Sequence, residues 1–321
     1  MSRHKVLLDT DPGIDDAMAI FTALAYPAIE LLGLTTTFGN VSVEQATKNA
    51  LTLLEMAGAD LPVASGMARP LQKAPEPYPD FIHGADGLGN VYLPAPKKLP
   101  VKRDAAAFIV EQIMAHPGEI SLVAVGPLGN LAKALEREPA ITRQVKQVVL
   151  MGGTIAEGGN ISPVAEANIY ADPHAADQVF AADWPLVMVG LDVTHQVLLS
   201  RQLFAQIRAN NSKVGEFMQQ AAAFYTDFYQ RAREADDGCF GHDVSAIAYV
   251  ADPDLFGTVE GAICVVPDGI AVGQTIMRRN HSREYPLKAW DGRPVHKACM
   301  QVDSAGVAEL FYGALTNGYW R

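Results

Sequence analysis

Residues 5–16 read KVLLDTDPGIDD. The stretch Lys5–Asp9 has the near-continuous apolar character of a strand buried on both faces, and Pro12 and Gly13 then force a turn. From Asp15 to Ala25 the apolar residues recur at helical spacing. A buried strand, a tight turn and a helix make the opening of an α/β unit, and the pattern repeats outward. Leu31–Thr37, Leu61–Ala64, Ile120–Val125, Val145–Met151 and Leu186–Leu191 read as further buried strands. Between them lie helical patterns over Val43–Ala57, Ala105–His116, Leu128–Glu136 and His174–Phe180. The expected fold class is α/β, with an open, mostly parallel sheet flanked by helices. Beyond Leu191 the pattern turns helical, then β-rich over Thr258–Val266, Ile270–Met277 and Val295–Val302, and a helix starts at Ser304. No repeat or linker divides the chain, so residues 1–321 are expected to form a single domain.

Composition narrows the function. The chain has 321 residues, of which 49% are apolar and 19% charged, which excludes a disordered chain. With 25 basic against 36 acidic side chains the net charge is −11, so no nucleic-acid surface is expected. No apolar run reaches the ~18 residues of a membrane helix, and the N-terminus lacks the pattern of a signal peptide. Cys239, Cys264 and Cys299 are odd in number and lack C-x-x-C spacing, so neither a disulfide framework nor a thiolate zinc site is expected. A cytoplasmic protein without membrane partners is the expectation.

In open parallel sheets ligands bind beyond the carboxyl ends of the strands. Polar motifs collect there. The first strand ends in Asp9-Thr10-Asp11-Pro12-Gly13-Ile14-Asp15-Asp16 and the second in Thr37-Phe38-Gly39-Asn40. Two others end in Gly126-Pro127-Leu128-Gly129-Asn130 and Met151-Gly152-Gly153-Thr154. Residues 66–103 hold seven prolines and His83-Gly84-Ala85-Asp86-Gly87, and a stretch of that length reads as a binding loop. Asp9, Asp11, Asp15 and Asp16 repel one another unless a cation neutralises them. Helix capping accounts for one or two acids. Oxygen-only ligation suits Ca²⁺ or Mg²⁺. An EF-hand loop beginning at Asp9 fails, because Ile14 and Ile20 stand where Gly and Glu are required. A phosphatase of the haloacid-dehalogenase type also opens with Asp-x-Asp after its first strand and stands as the alternative, with Mg²⁺.

Taken together these motifs resemble the nucleoside hydrolases of the inosine–uridine-preferring type. The resemblance continues through Gly39-Asn40, His83-Gly84, Asn130, Gly159-Asn160, Glu166-x-Asn168, Asp172-Pro173, Asp192-x-Thr194 and His242-Asp243. It implies a Ca²⁺ held by Asp11, Asp16, Asp243 and the carbonyl of Val125, with Asp11 also the general base toward the hydrolytic water. Asp15, Asn40, Asn160, Glu166 and Asn168 would bind the ribose hydroxyls, with Met151 beside them. His242 would assist departure of the base, His83 would line the base pocket, and Tyr225 and Tyr229 would contact the nucleobase. The implied reaction is hydrolysis of a ribonucleoside's N-glycosidic bond to ribose and free base, in salvage, by a homo-oligomer (dimer or tetramer). Such chemistry needs an activated water on one face of the sugar and a proton for the leaving group. Plainer readings stand beside these: His242 and His195 as structural histidines, Asn160 and Asn168 as turn formers, Phe224, Tyr225, Phe228 and Tyr229 as core. Ala167 departs from the aromatic usual between Glu166 and Asn168 in that family. A ribonucleoside-binding protein without catalysis is a further alternative, against which Asp11 and His242 speak.

Overall fold

The computed structural model describes residues 3–210, 212–279 and 285–317. Its strands are β1 (His4–Thr10), β2 (Ile29–Thr36), β3 (Val63–Ser65), β4 (Ile120–Ala124), β5 (Gln147–Met151), β6 (Leu186–Val189), β7 (Leu198–Leu199), β8 (Cys239–Phe240), β9 (Phe256–Val265), β10 (Thr275–Arg279) and β11 (Val295–Val302). Nine strands form one sheet in the order β10-β9-β11-β6-β5-β4-β1-β2-β3, while β7 pairs with β8. Pairing is parallel from β3 through to β11, and β9 runs antiparallel to both of its neighbours.

Alternation along the strands builds two cores. Val6, Leu8, Val123 and Val125 point into one, Leu7, Leu122 and Ala124 into the other. The first is covered by helices Ile14–Ala25, Val43–Ala57, Ser212–Ala232, His242–Ala251 and Ser304–Thr316, the second by Ala105–Ala115, Gly129–Arg137 and Pro173–Ala181. Burial on both faces is why these strands carry no polar alternation. The expected α/β class is therefore the observed one. β1 has β2 on one side and β4 on the other, so the strand order changes direction beside it. That switch opens a crevice at the carboxyl ends of β1 and β4, where Asp11 and Val125 emerge.

Several expected boundaries shift, most by a residue or two, and two of the shifts have a plain cause. The strand over Ile270–Met277 begins only at Thr275, because Gly269 (φ 84°) and Gly273 (φ 82°) take left-handed conformations and turn the chain, leaving Ile270 fully exposed. The strand over Leu186–Leu191 stops at Val189, and Leu191–Thr194 winds into a short helix beyond Gly190.

Both edges of the sheet are covered or charged. β3 has three residues, and its Val63 carbonyl accepts the Val101 N–H at 2.8 Å. The opposite edge strand, β10, ends in Arg278 and Arg279. Within residues 66–103 the short helix Asp80–His83 carries His83 inward. The loop after it is gathered by Asp86, whose carboxylate accepts the N–H groups of Leu88, Asn90 and Tyr92 and so holds the last two at positive φ. Asn49, buried in helix Val43–Ala57, donates to the carbonyls of Pro12 (2.9 Å) and Asp86 (2.8 Å), joining this loop to the Asp-rich turn.

Candidate active site

The Asp-rich turn sorts its four carboxylates by direction. Asp9, still on β1, faces away from the crevice and takes bonds from Thr35 and from the Asn130 amide (2.7 Å). Asp16 is the brace of the turn: it accepts the Thr10 hydroxyl, the N–H groups of Asp11 (3.1 Å) and Gly13 (2.9 Å), and the Asn40 amide (2.9 Å). The Gly13 bond caps the helix that follows, since Asp16 is its third residue. Asp11 receives the Asn40 N–H at 2.7 Å on one oxygen, and its other oxygen is buried without a partner. Gly39 and Gly126 face Asp11 so closely that a Cβ on either would overlap its carboxylate. Asp15 accepts the Tyr225 hydroxyl at 3.1 Å, and its second oxygen is also buried and unpartnered.

A cavity of about 380 Å³ opens above the turn. It is lined by Asp11, Asp15, Asn40, His83, Val125, Met151, Asn160, Glu166, Asn168, Tyr225, Tyr229, His242 and Asp243, with Asp16 fully buried beneath them. The residues singled out in the sequence thus come from strand ends, loops and five helices to one place. Asn168 donates to the carbonyls of Val125 (2.9 Å) and Met151 (3.2 Å). Asn160 accepts the Ala167 N–H at 3.0 Å. His83 accepts the Ile14 N–H on Nδ1 at 3.2 Å and lies against Tyr225, ring to ring at 5.3 Å. Tyr225 and Tyr229 are buried from helix Ser212–Ala232, and the plain reading of this aromatic run as core describes them in part. His195 stacks near Phe240 and His242 as a packed residue.

Sequence reasoning missed several participants. Lys73, Tyr170, Phe81 and Phe228 line the cavity mouth, with the Lys73 ammonium 3.3 Å above the Tyr170 ring. Asp192 opens the Asp-x-Thr motif, and its carboxylate collects the N–H groups of Ile155, Ala156 and Glu157 and so shapes the loop leading to Asn160. Thr194, two residues on, meets His242 Nδ1 at 2.8 Å. The Asp-x-Thr spacing at a strand end was the available signal.

The electrostatics call for a cation. Burial raises the pKa of Asp11, Asp15, Asp16 and Asp243, and their mutual repulsion adds to it at Asp11, Asp16 and Asp243. Among the described residues no Lys or Arg side chain pairs with any of them. Ligand oxygens of Asp15, Asp16 and Asp243 come within 4.8 Å of one another, and Asp11 stands outside that trio with its unpartnered oxygen. An all-oxygen donor set with two unsatisfied buried carboxylate oxygens fits a hard divalent cation.

Glu166 is a separate case. It caps helix Ala167–Ala171 through the N–H groups of Asn168 and Ile169, and also takes that of Gly153. Burial outweighs these bonds and pushes its carboxyl to about 7. Because the folded pKa is raised, the stability it contributes is fully present below the ordinary pKa of about 4.5 and is lost as pH rises through about 7. Against Glu166→Gln, which does not titrate, the wild type should therefore lose about 3 kcal/mol of relative stability across that window, read from urea midpoints. A pH-independent difference between the two proteins would remove the assignment.

Comparison with known proteins agrees with this geometry. The sequence matches the family model for inosine-uridine preferring nucleoside hydrolase over residues 6–309. A probable uridine nucleosidase 2 of Arabidopsis thaliana is 41% identical over 315 residues, 98% of each chain. The inosine-uridine preferring nucleoside hydrolase of Leishmania major is 42% identical over 284 residues, 87% of this chain and 89% of its own. A solved plant nucleoside hydrolase, the PpNRh1 enzyme, superposes with a TM-score of 0.94 at 40% identity, covering 98% of this chain and 99% of its own. The phosphatase alternative finds no support here. Since the matched region runs from β1 into the last helix and takes in every residue that faces the cavity, the chain belongs to the inosine-uridine preferring nucleoside hydrolase family.

Proposed function

We propose that the protein is a Ca²⁺-dependent ribonucleoside hydrolase that releases ribose and a free base, in nucleoside salvage. The observation that carries this reading is the meeting, across one cavity, of buried carboxylates with a hydrogen-bonded run of His242, Tyr229 and Tyr225. The first suits a cation and an attacking water, the second a departing base. Asp11, Asp16, Asp243 and the Val125 carbonyl would hold the ion. Bound there, Ca²⁺ supplies positive charge that offsets the carboxylates, lowers the pKa of the hydrolytic water and orients it.

The chain's own groups do the rest. Asp11, fixed on one side by the Asn40 N–H, offers its free oxygen as the general base. Asp15 offers its unpartnered oxygen to a ribose hydroxyl, and Asn40, Asn160, Glu166 and Asn168 serve the others. His83 and the tyrosines enclose the base. Burial pushes His242 down to about 3, so its ring is neutral and assists the departing base as a hydrogen-bond donor through the one N–H it carries.

Ribose release from uridine, inosine, adenosine, guanosine and cytidine tests the reading, with 2′-deoxyuridine as the contrast. Buried polar groups left unpaired by the missing hydroxyl should lower kcat/KM by roughly 10⁴-fold. Equal turnover of uridine and 2′-deoxyuridine would refute the ribose assignments, and silence on every ribonucleoside would refute the function.

A further inference from the structure

The side chains behind the aromatic wall form one continuous run: Thr194 Oγ1 to His242 Nδ1 (2.8 Å), His242 Nε2 to Tyr229 OH (2.8 Å), Tyr229 OH to Tyr225 OH (3.0 Å) and Tyr225 OH to Asp15 Oδ2 (3.1 Å). All five residues are buried. The direction of every bond follows from one end. An ionised carboxylate only accepts, so Tyr225 donates to Asp15. Tyr225 has then spent its hydrogen and must accept from Tyr229. Tyr229 has in turn spent its own, so the hydrogen between it and His242 belongs to Nε2. A neutral imidazole carries one hydrogen, which leaves Nδ1 as an acceptor and makes Thr194 the donor.

We infer that Thr194 is a positioning residue for His242, whose hydroxyl bond to Nδ1 holds the ring in the orientation that presents Nε2–H toward Tyr229 and the departing base. The site of Thr194 is built for this. It is fully buried at the end of helix Leu191–Thr194, its N–H is bonded to the Gly190 carbonyl at 3.1 Å, and the same short helix is held at Asp192 by three backbone N–H groups of residues 155–157. His195, the other imidazole close to His242, meets it only edge-on at 5.6 Å between ring centres. Without the Thr194 hydroxyl no described group bonds Nδ1, and the buried ring is held at Nε2 alone. The inference rests on the role given to His242 under the proposed function.

The test compares Thr194→Val and Thr194→Ser in the Ca²⁺-loaded enzyme on two substrates. Uridine needs its base protonated on departure, whereas p-nitrophenyl riboside releases a stable anion and needs no acid. A general acid is worth 10²–10⁴-fold, so Thr194→Val should lower kcat on uridine by about tenfold or more while p-nitrophenyl riboside stays within about twofold. Thr194→Ser should restore uridine turnover. Nitrogen NMR of histidine-labelled protein should place the hydrogen on Nε2 of His242 in the wild type and, in Thr194→Val, shift the Nδ1 resonance to that of a nitrogen without a hydrogen-bond donor. Equal losses on both substrates, no loss on either, or a wild-type hydrogen on Nδ1 would each overturn the inference. His242→Ala is run alongside. If it lowers both substrates equally, His242 is not the acid and the proposed function loses that residue. If it separates the substrates and Thr194→Val does not, this inference alone fails.

Discussion

Asp11→Asn should lower kcat by on the order of 10²–10⁴-fold or more with little change in the thermal stability of the metal-free protein, because it removes the general base and one proposed ligand of the cation but none of the bonds that hold the fold. Asparagine has the same shape, so it fits the space that Gly39 and Gly126 leave around this side chain. Its carbonyl oxygen can still accept the Asn40 N–H that holds Asp11 now. What is lost is the second oxygen, buried and unpartnered, that is free to take a proton. The measurement is single-turnover ribose release beside a melting curve. Wild-type turnover in the variant would show that the base lies elsewhere, and a collapsed melting temperature would show that the carboxylate is structural.

Removing the metal should have the other large effect. A chelator should bring turnover to background, and Ca²⁺ should restore it. Stability should move in the same direction, because an ion that binds only the folded chain stabilises it by about 2.7 kcal/mol at 100 times its dissociation constant. The physical source is the group Asp15, Asp16 and Asp243, whose oxygens gather within 4.8 Å with no Lys or Arg side chain paired to them among the described residues. The loss should be visible as a melting temperature lower by several degrees in the stripped protein. Full activity in protein shown by elemental analysis to hold no divalent metal would end the Ca²⁺ reading.

Sequence and structure agree most where chemistry and geometry constrain the same residues. The strand–turn–helix at residues 5–16 was legible because a doubly buried strand cannot be mistaken for an exposed one, and because Pro12 and Gly13 leave the chain little choice. Helix Val43–Ala57 and strand Val295–Val302 have the expected bounds. Ile270–Gln274 does not keep to its strand, since two glycines with positive φ outweigh local apolar character. Within the site, residue types showed that acids gather but not which way each points. Asp9 turns from the crevice because it still belongs to β1, and Asp16 spends its oxygens bracing the turn. The roles of Thr194, Asp192 and Asn49 were hidden for a common reason. Each acts by hydrogen bonds to groups distant in sequence, so even where the Asp-x-Thr spacing marks the positions it does not name their partners.

The two flanks of the sheet bear on how copies of this protein can associate. A strand edge with free N–H and C=O groups is a template on which another chain can polymerise. Here one flank is only three residues long and already engaged by Val101, and the other carries Arg278 and Arg279, so two copies brought edge to edge would set like charges against each other. Growth into a continuous intermolecular sheet is disfavoured at both ends. Any self-association is thereby directed to helices and loops and away from the edges of the nine-stranded sheet.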